Sequence, residues 1–357
     1  MVLRASALAG RTPPVTAADR ETVAHALVAD LHTPAPRIFW LDLSVSAAIG
    51  WSAFAVAAGS SPFSSAMLAA ASLAALALYR GVCFTHELAH LRRRAIPGFE
   101  TAFNVLFGVP LLLPSFTYLG VHQSHHSLST YGTKDDPEYL PFARSRRLMV
   151  AFGIQSALLL PILMVVRFLV LAPVALVWPP FHRWLETHAS SFAMNPEYRR
   201  VVAADMARKM RRWELAILAF WGTAIGLTYA GAIPARVFWV WLVVLTAVSL
   251  LNTARVLGAH EYESDGVAQG REWQLADSID TPGGPWTELW APVGLRYHAL
   301  HHYFPGIPYH NLGAAYRRIV ESTARESGYL DSTSPSLRRS LVVLYAKARR
   351  ATPVDRR

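Results

Sequence analysis

Histidine is the residue type through which this chain is best equipped to do chemistry. The sequence contains 14 histidines, and eight of them fall into three short motifs. On an α-helix the positions i, i+3 and i+4 lie on one face, so each motif can direct two or three imidazoles at one point. The motifs are box one, HELAH (His86 and His90); box two, HQSHH (His122, His125 and His126); and box three, HALHH (His298, His301 and His302).

The boxes predict a site for two metal ions. Imidazole is a ligand for Fe, Zn, Cu and Ni, and eight imidazoles exceed the roughly six ligands that one ion accepts. A single histidine on an apolar helix face is usually a hydrogen-bonded structural residue, but that explanation would have to hold for three boxes here. Cys83 is the only cysteine, so an intrachain disulfide is excluded and a metal must be held by histidines and carboxylates.

Box one also fits the HExxH pattern of zinc proteases, in which two histidines bind zinc and the glutamate is the general base. In that alternative His86 and His90 are the zinc ligands and Glu87 is the base. Such a site needs only one further ligand and leaves the other boxes unexplained, so the two-metal interpretation is favoured.

The composition indicates a membrane protein. The 357 residues are 53% hydrophobic and 16% charged, with a mean hydropathy of +0.25, which is more apolar than a typical soluble domain. The formal net charge is +10. Arginines concentrate beside the apolar segments, as the positive-inside rule produces, so the basic character is attributed to membrane topology and no nucleic-acid partner is expected.

Four apolar segments have the length of about 20 residues that a membrane-spanning helix needs. They form two hairpins with short turns, and Arg92, Arg93 and Arg94 place the ends of the first hairpin on the cytoplasmic side. The expected fold class is an all-α integral membrane protein with two transmembrane helical hairpins, four to six spans, and a cytoplasmic helical cap that carries the boxes. The segments are residues 38–58, 62–83, 213–232 and 237–258.

Two further apolar stretches cannot cross the membrane a single time, because the boxes on either side of them must share one side. Residues 102–119 contain Pro110 and Pro114 and are predicted to be re-entrant or interfacial. Residues 148–178 contain Arg167 and are predicted to form a tight hairpin or two interfacial helices.

The chain is expected to divide into three parts. Residues 1–36 are a cytosolic N-terminal arm with one short helix around residues 17–31 and without a cleavable signal peptide. Residues 37–322 form the membrane-embedded catalytic domain, and residues 323–357 form a basic cytosolic C-terminal tail.

The order of the boxes resembles that of the membrane fatty acid desaturases and the related hydroxylases and ketolases. In that family HxxxH follows the first hairpin, HxxHH comes soon after it, and a second HxxHH follows the second hairpin. One further family histidine follows the last span, and His260 in RVLGAHEYE stands at that position. The resemblance covers most of residues 38–315 and implies a di-iron centre. Its implied ligands are His86, His90, His122, His125, His126, His260, His298, His301 and His302.

The residues around the boxes add detail to this resemblance. Some family members also use an asparagine one turn before the His260-like position, through water, but here Val256 occupies that position and Asn252 lies two turns back. His310 is interpreted as a hydrogen-bonded structural histidine. The other histidines, expected at the surface or the membrane interface, are His25, His32, His182 and His188. The acids best placed to orient the imidazoles are Glu87, Asp135, Asp136, Glu261, Asp277 and Asp280.

The resemblance implies a membrane-bound di-iron oxidoreductase that uses O2 to introduce a double bond into the alkyl chain of a fatty acyl lipid. A lipid hydroxylase or carotenoid-type ketolase on the same scaffold is the alternative, and a metal transporter is disfavoured because the spans contain almost no histidines or acids. No cytochrome b5-type module and no dinucleotide fingerprint is visible in the sequence, so electrons are expected from an external donor, such as ferredoxin or a cytochrome b5-like carrier with its reductase. The expected location is the cell inner membrane, with the active site facing the cytosol.

Overall fold

A computed structural model describes residues 17–92, 94–323 and 332–351. The described residues are all-α, with isolated bridges but no β-strand, as the fold class predicted. Arg93, residues 1–16 of the arm, and residues 324–331 and 352–357 of the tail lie outside the described residues. The main helices are α1 (Ala17–Val28), α2 (Pro36–Gly59), α3 (Ser65–His90), α4 (Phe99–Phe103), α5 (His122–His126), α6 (Arg146–Val177), α7 (Pro179–His188), α8 (Ala204–Tyr229), α9 (Arg236–Leu257), α10 (Arg271–Asp277), α11 (His298–Tyr303), α12 (Tyr309–Thr323) and α13 (Leu337–Arg350).

Helices α2 and α3 form the first predicted hairpin. Pro36 begins α2, where the missing N–H of proline is no loss, and Ser64 caps α3 by accepting a hydrogen bond from the Met67 N–H at 3.1 Å. A Cβ at Gly50 would lie 2.6 Å from Leu78 Cδ2, so the glycine permits a close approach of the two helices. Because α3 runs on into box one, the hairpin positions the first histidines directly.

Four helices, α2, α3, α6 and α9, are long and apolar enough to cross a membrane. Helix α8, which contains the predicted span at residues 213–232, is not among them, because charged side chains such as Arg208 and Lys209 occupy its first turns. With 26 residues, α8 is nevertheless about 39 Å long. It returns against α9 through Trp221 and Trp241, whose ring centroids are 4.7 Å apart. Trp221 and Trp241 therefore join the two helices of the second predicted hairpin, but only α9 has the length and hydropathy of a membrane span.

Helix α6 is a single continuous helix of 32 residues, so the prediction of a tight hairpin or two interfacial helices at residues 148–178 was wrong. Two π-helical turns, Gln155–Leu159 and Val166–Leu171, interrupt its α-helical geometry. Each is followed by a proline, Pro161 or Pro173. The wider turns accommodate residues that lack an N–H, which allows the helix to continue through both prolines.

Aromatic contacts place both halves of α6 on the side of the domain that carries the boxes. Phe152 near its start packs on Phe142 at 5.0 Å between ring centroids. Phe142 in turn packs at 4.8 Å on Tyr262, which follows the isolated ligand between α9 and α10. In the second half, Phe168 packs at 6.1 Å on Phe116, shortly before box two. Both halves of α6 therefore contact chain segments that adjoin the histidine groups, and the parity argument against a single crossing stays a prediction.

The segment at residues 102–119 contains only short helical turns, which agrees with the predicted re-entrant conformation. Three backbone carbonyls of this irregular segment accept hydrogen bonds from indole N–H groups on three of the long helices. An unpaired carbonyl costs several kcal/mol in a lipid environment, so these hydrogen bonds stabilise the irregular backbone of the segment. The bonds run from Trp51 Nε1 to the Leu106 carbonyl at 2.8 Å, from Trp221 Nε1 to Val109 at 3.2 Å, and from Trp241 Nε1 to Pro110 at 2.8 Å.

Candidate metal centre

Nine histidines converge into two adjacent groups on one side of the domain. Within each group the ligand nitrogens all lie within 4.8 Å of one another, close enough to share one ion. The nine are the residues that the family resemblance implied. Group one is His86, His90, His122, His126 and His301, and group two is His125, His260, His298 and His302.

Four chain segments hold these side chains in place. Box one is the end of α3, box two is α5, and box three begins α11. The fourth segment is the extended stretch after α9 that carries His260. It is fixed by hydrogen bonds from the Glu261 N–H to the Asp277 carbonyl at 2.7 Å and from the Ile279 N–H to the Ala259 carbonyl at 2.8 Å. Backbone pairing therefore positions the one ligand that no box contains.

The nitrogen positions fit bound metal ions. His86 Nε2 is buried and has no hydrogen-bond partner, which is unusual for a buried polar atom. Other Nε2 atoms face one another at 2.8–3.2 Å, so that lone pairs converge on a common point. Such convergence is favourable when a cation occupies that point. The closely spaced pairs are His122–His126 (2.9 Å), His90–His301 (3.0 Å), His260–His298 (2.8 Å) and His298–His302 (3.2 Å).

In group one, a carboxylate and a phenol orient His122. The Nδ1 atom of His122 lies 2.9 Å from Glu138 Oε1 and 2.9 Å from Tyr118 Oη. The Tyr118 hydroxyl donates to Glu138 Oε2 at 2.9 Å. A carboxylate on the second ring nitrogen fixes the orientation of a ligand histidine and increases its basicity.

In group two, two carboxylates have the same role. His125 Nδ1 lies 3.0 Å from both carboxylate oxygens of Asp136. His260 Nδ1 lies 2.8 Å from the hydroxyl of Tyr131, which donates to Asp277 Oδ2 at 2.9 Å. The orientation of both ligands therefore depends on fully buried acids.

The six acids expected from the sequence to orient the histidines differ in what they contact, and only some of them lie against a histidine of the two groups. Asp136 and Asp277 do so, and Glu87 Oε1 lies 3.8 Å from His86 Nδ1. The other oxygen of Glu87 accepts a hydrogen bond from the Tyr309 N–H at 3.0 Å. Of the rest, Asp280 accepts from the Leu300 N–H at 3.2 Å, Glu261 pairs with Lys347, and Asp135 is exposed.

Sequence reasoning missed four orienting residues: Tyr118, Tyr131, Glu138 and Gln274, whose Nε2 lies 3.2 Å from His302 Nδ1. Proximity to box two could have indicated the first three. Glu138 in particular follows Asp136 in the stretch KDDPE. Gln274 carried no such signal, because it is far from box three in sequence.

The electrostatics favour the neutral form of the clustered imidazoles, with His125 as the exception. Burial raises the pKa of Glu138 to about 7. Burial acts to lower the pKa of His125, but Asp136 and Glu138 outweigh it, so that the pKa of His125 is raised. A neutral imidazole binds a metal without first losing a proton. Burial, followed by the charge of neighbouring imidazoles, lowers the pKa values of His122, His126, His298, His301 and His302.

Residues outside the groups are also informative. Asn252 accepts a hydrogen bond from Arg255 Nη2 at 3.1 Å. Group two has one histidine fewer than group one. His310 Nε2 accepts from the Ala35 N–H at 3.0 Å and attaches the N-terminal arm to α12, a structural contact as interpreted from the sequence. His25, His32, His182 and His188 belong to neither group.

A cavity opens beside group one between α3, α6 and α9. His86, Tyr118 and Glu138 lie in its wall. Much of the remaining lining is apolar, so the cavity can hold an alkyl chain next to the imidazoles. The apolar lining includes Val82, Leu113, Phe152, Leu160, Met194, Val248 and Leu295.

Long apolar helices and paired histidine groups together define an integral membrane protein with a candidate metal centre. The chain belongs to the fatty acid desaturase family, whose model matches residues 62–334. This is a family of di-iron enzymes, which makes the protein a lipid-modifying oxidoreductase. The chain is also 40% identical over 330 residues to a ceramide hydroxylase from Caulobacter vibrioides (strain NA1000 / CB15N), an alignment that covers 91% of this chain and 93% of that protein. No solved structure gives a significant match.

Proposed function

We propose that the protein is an O2-dependent di-iron hydroxylase of a ceramide-like lipid, in which a long alkyl chain is joined through an amide. The observation that carries the proposal is the pair of histidine groups beside an apolar cavity. The similarity to the ceramide hydroxylase supports hydroxylation and an amide-linked substrate. Desaturation, which the sequence favoured, is the second candidate, and the description of the matching family as fatty acid desaturase supports it.

The nine histidines are proposed as the iron ligands. Group one would hold one ion through five imidazoles, and group two would hold the other through four. When bound, the iron pair would supply the reduction of O2 and the oxidation of an unactivated carbon. The chain itself orients the ligands through Asp136, Glu138 and Asp277, and the apolar cavity wall positions the alkyl chain and excludes water.

The proposed electron source is a separate carrier such as an acidic ferredoxin or a cytochrome b5-like protein. Helix α13 carries a basic surface that includes Arg338, Arg339, Arg349 and Arg350, and such a surface attracts an acidic partner. We also propose an inner-membrane location with the histidine side facing the cytosol, since Arg92 and Arg94 directly follow box one.

Mass spectrometry of lipids tests this function. Membranes from a bacterium that expresses the full chain are supplied with a ceramide, a reducing system and isotopically labelled O2. We expect a product that has gained one labelled oxygen atom, and no product from the matched His90→Ala variant. A product that has lost two hydrogens and gained no oxygen would establish the second candidate instead. An unchanged ceramide in iron-loaded, reduced membranes would refute the proposed hydroxylation.

A further inference from the structure

A half-buried arginine in the cavity wall forms no ion pair with a carboxylate of the described residues. Arg255 lies in the last turn of α9 and lines the same cavity as His86. Its Nε atom is buried without a hydrogen-bond partner, and its Nη2 atom donates to the amide oxygen of Asn252 at 3.1 Å. Among the residues that the structure describes, no acid forms an ion pair with it. Burying an N–H donor of a charged group without an acceptor is costly, so the Nε atom calls for an acceptor from elsewhere.

Among the described residues, the Tyr79 hydroxyl interacts with Arg255 and donates its own proton to the Trp290 carbonyl, but no side chain accepts a hydrogen bond from Arg255 Nε. Glu138 lines the same cavity, but its two oxygens are engaged by His122 and Tyr118. A fixed positive charge near the two histidine groups, which are suited to bind cations, is also electrostatically unfavourable. A bound ligand that offers an oxygen to Arg255 would offset both costs.

The neighbours of Arg255 indicate which oxygen this ligand offers. Asn252, Ser156 and Ser249 line the same part of the cavity, and the Thr253 hydroxyl lies 3.0 Å from Ser156 Oγ, so α6 and α9 meet there through polar side chains. Neutral amide and hydroxyl groups complement an amide and its adjacent hydroxyls. A carboxylate or phosphate would be better matched by a second cation, and among the described residues Arg255 is the one arginine or lysine that lines this cavity.

We propose that Arg255 and Asn252 form a polar subsite that binds the amide carbonyl of an N-acylated lipid inside the cavity, so that the oxidised carbon lies near the polar end of the lipid. This inference rests on the proposed function and deepens it. The Arg255 guanidinium donates to the carbonyl oxygen, and the Asn252 side chain holds the guanidinium in place. The subsite would thereby fix which carbon faces the histidine groups.

Equilibrium binding tests the subsite separately from turnover. Purified full-length protein without iron is titrated with a radiolabelled N-acyl lipid, with the corresponding free fatty acid and with the free amine base. Losing a hydrogen bond to a charged group weakens binding on the order of 10- to 100-fold. We expect this weakening for the N-acyl lipid in Arg255→Met, a smaller one in Arg255→Lys, and none in Arg236→Met, which changes the exposed arginine at the other end of α9.

The carbon that is oxidised provides a second readout. It would not change if Arg255 had only a structural role. Tandem mass spectrometry should locate the new hydroxyl at one carbon in the wild type and at several carbons in Arg255→Met, with iron content unchanged. The subsite would be overturned if Arg255→Met bound the N-acyl lipid with wild-type affinity and hydroxylated it at a single carbon. Binding of the free fatty acid as tightly as the N-acyl lipid would also overturn it. If the lipid binds through Arg255 but is never hydroxylated, the proposed function fails and the subsite stands.

Discussion

Asp136 offers the sharpest test of how the centre is held together, because its exposed neighbour Asp135 is a matched control. Asp136 accepts hydrogen bonds from His125 Nδ1 at 3.0 Å, from the Gly132 N–H at 2.8 Å and from the Glu138 N–H at 2.9 Å. Asp136→Asn preserves the shape of the side chain but replaces one accepting oxygen with a donor. At least one of these buried donors therefore loses its partner.

The expected magnitude follows from those contacts. Leaving a buried donor unpaired costs about 1–3 kcal/mol of stability. Removing the carboxylate partner of a ligand histidine reduces metal affinity by about 10- to 100-fold, equivalent to roughly 1.4–2.8 kcal/mol of binding free energy. The second effect should fall on group two, because His125 belongs to that group.

Anaerobic titration of metal-free protein with ferrous iron measures this effect, and elemental analysis gives the iron bound per chain. We expect the wild type to bind close to two irons, and Asp136→Asn to bind one with normal affinity and the second more weakly. Asp135→Asn should behave as the wild type. If Asp136→Asn bound both irons with wild-type affinity, the proposed role of the carboxylate would be wrong.

Three further substitutions test other parts of the structure. His260→Ala should lower iron content towards half and abolish product formation, whereas the exposed His188→Ala should alter neither, as measured by elemental and lipid analysis. Glu87→Gln should retain its metal and lose on the order of 10- to 100-fold in activity, and complete inactivation with metal intact would favour a general-base role. Trp241→Phe removes the indole donor to the re-entrant segment and should lower stability by about 1–3 kcal/mol in thermal unfolding, while Trp239→Phe, at a side chain 70% exposed, should have little effect.

The sequence was sufficient to predict which nine histidines converge, but not all of the residues that orient them. Box spacing works because an α-helix places i, i+3 and i+4 on one face, and His260 was recognised from its place in the family order. Gln274 reaches His302 only through the packing of α10 against α11. A contact between side chains so separated in sequence leaves no local pattern.

The membrane helices show a similar limit. Length and hydropathy were enough for α2, α3 and α9. For α6 they could not decide whether an apolar run crosses, folds back or lies along one side, because these arrangements differ in tertiary contacts and not in composition. The contact of Phe168 with Phe116 shows that the second half of α6 packs beside the segment before box two, and the π turns that carry α6 past Pro161 and Pro173 were not predictable from the presence of the prolines alone.

The division of the ligands into five and four follows from helix geometry and explains why a histidine outside the boxes is needed. In an HxxHH box the first and last histidines lie about 40° apart around the helix, while the middle one lies about 100° from the last. When such a helix lies between the two histidine groups, its first and last histidines therefore join one group and its middle histidine joins the other.

Box two gives its outer pair to group one and its middle histidine to group two, and box three does the reverse. Box one has only an outer pair, and both members join group one. Group two, which has no HxxxH box of its own, would then contain only three imidazoles. The extended segment after α9 supplies the fourth through His260. His260, the one member of either group outside the boxes, thus raises group two from three imidazoles to four.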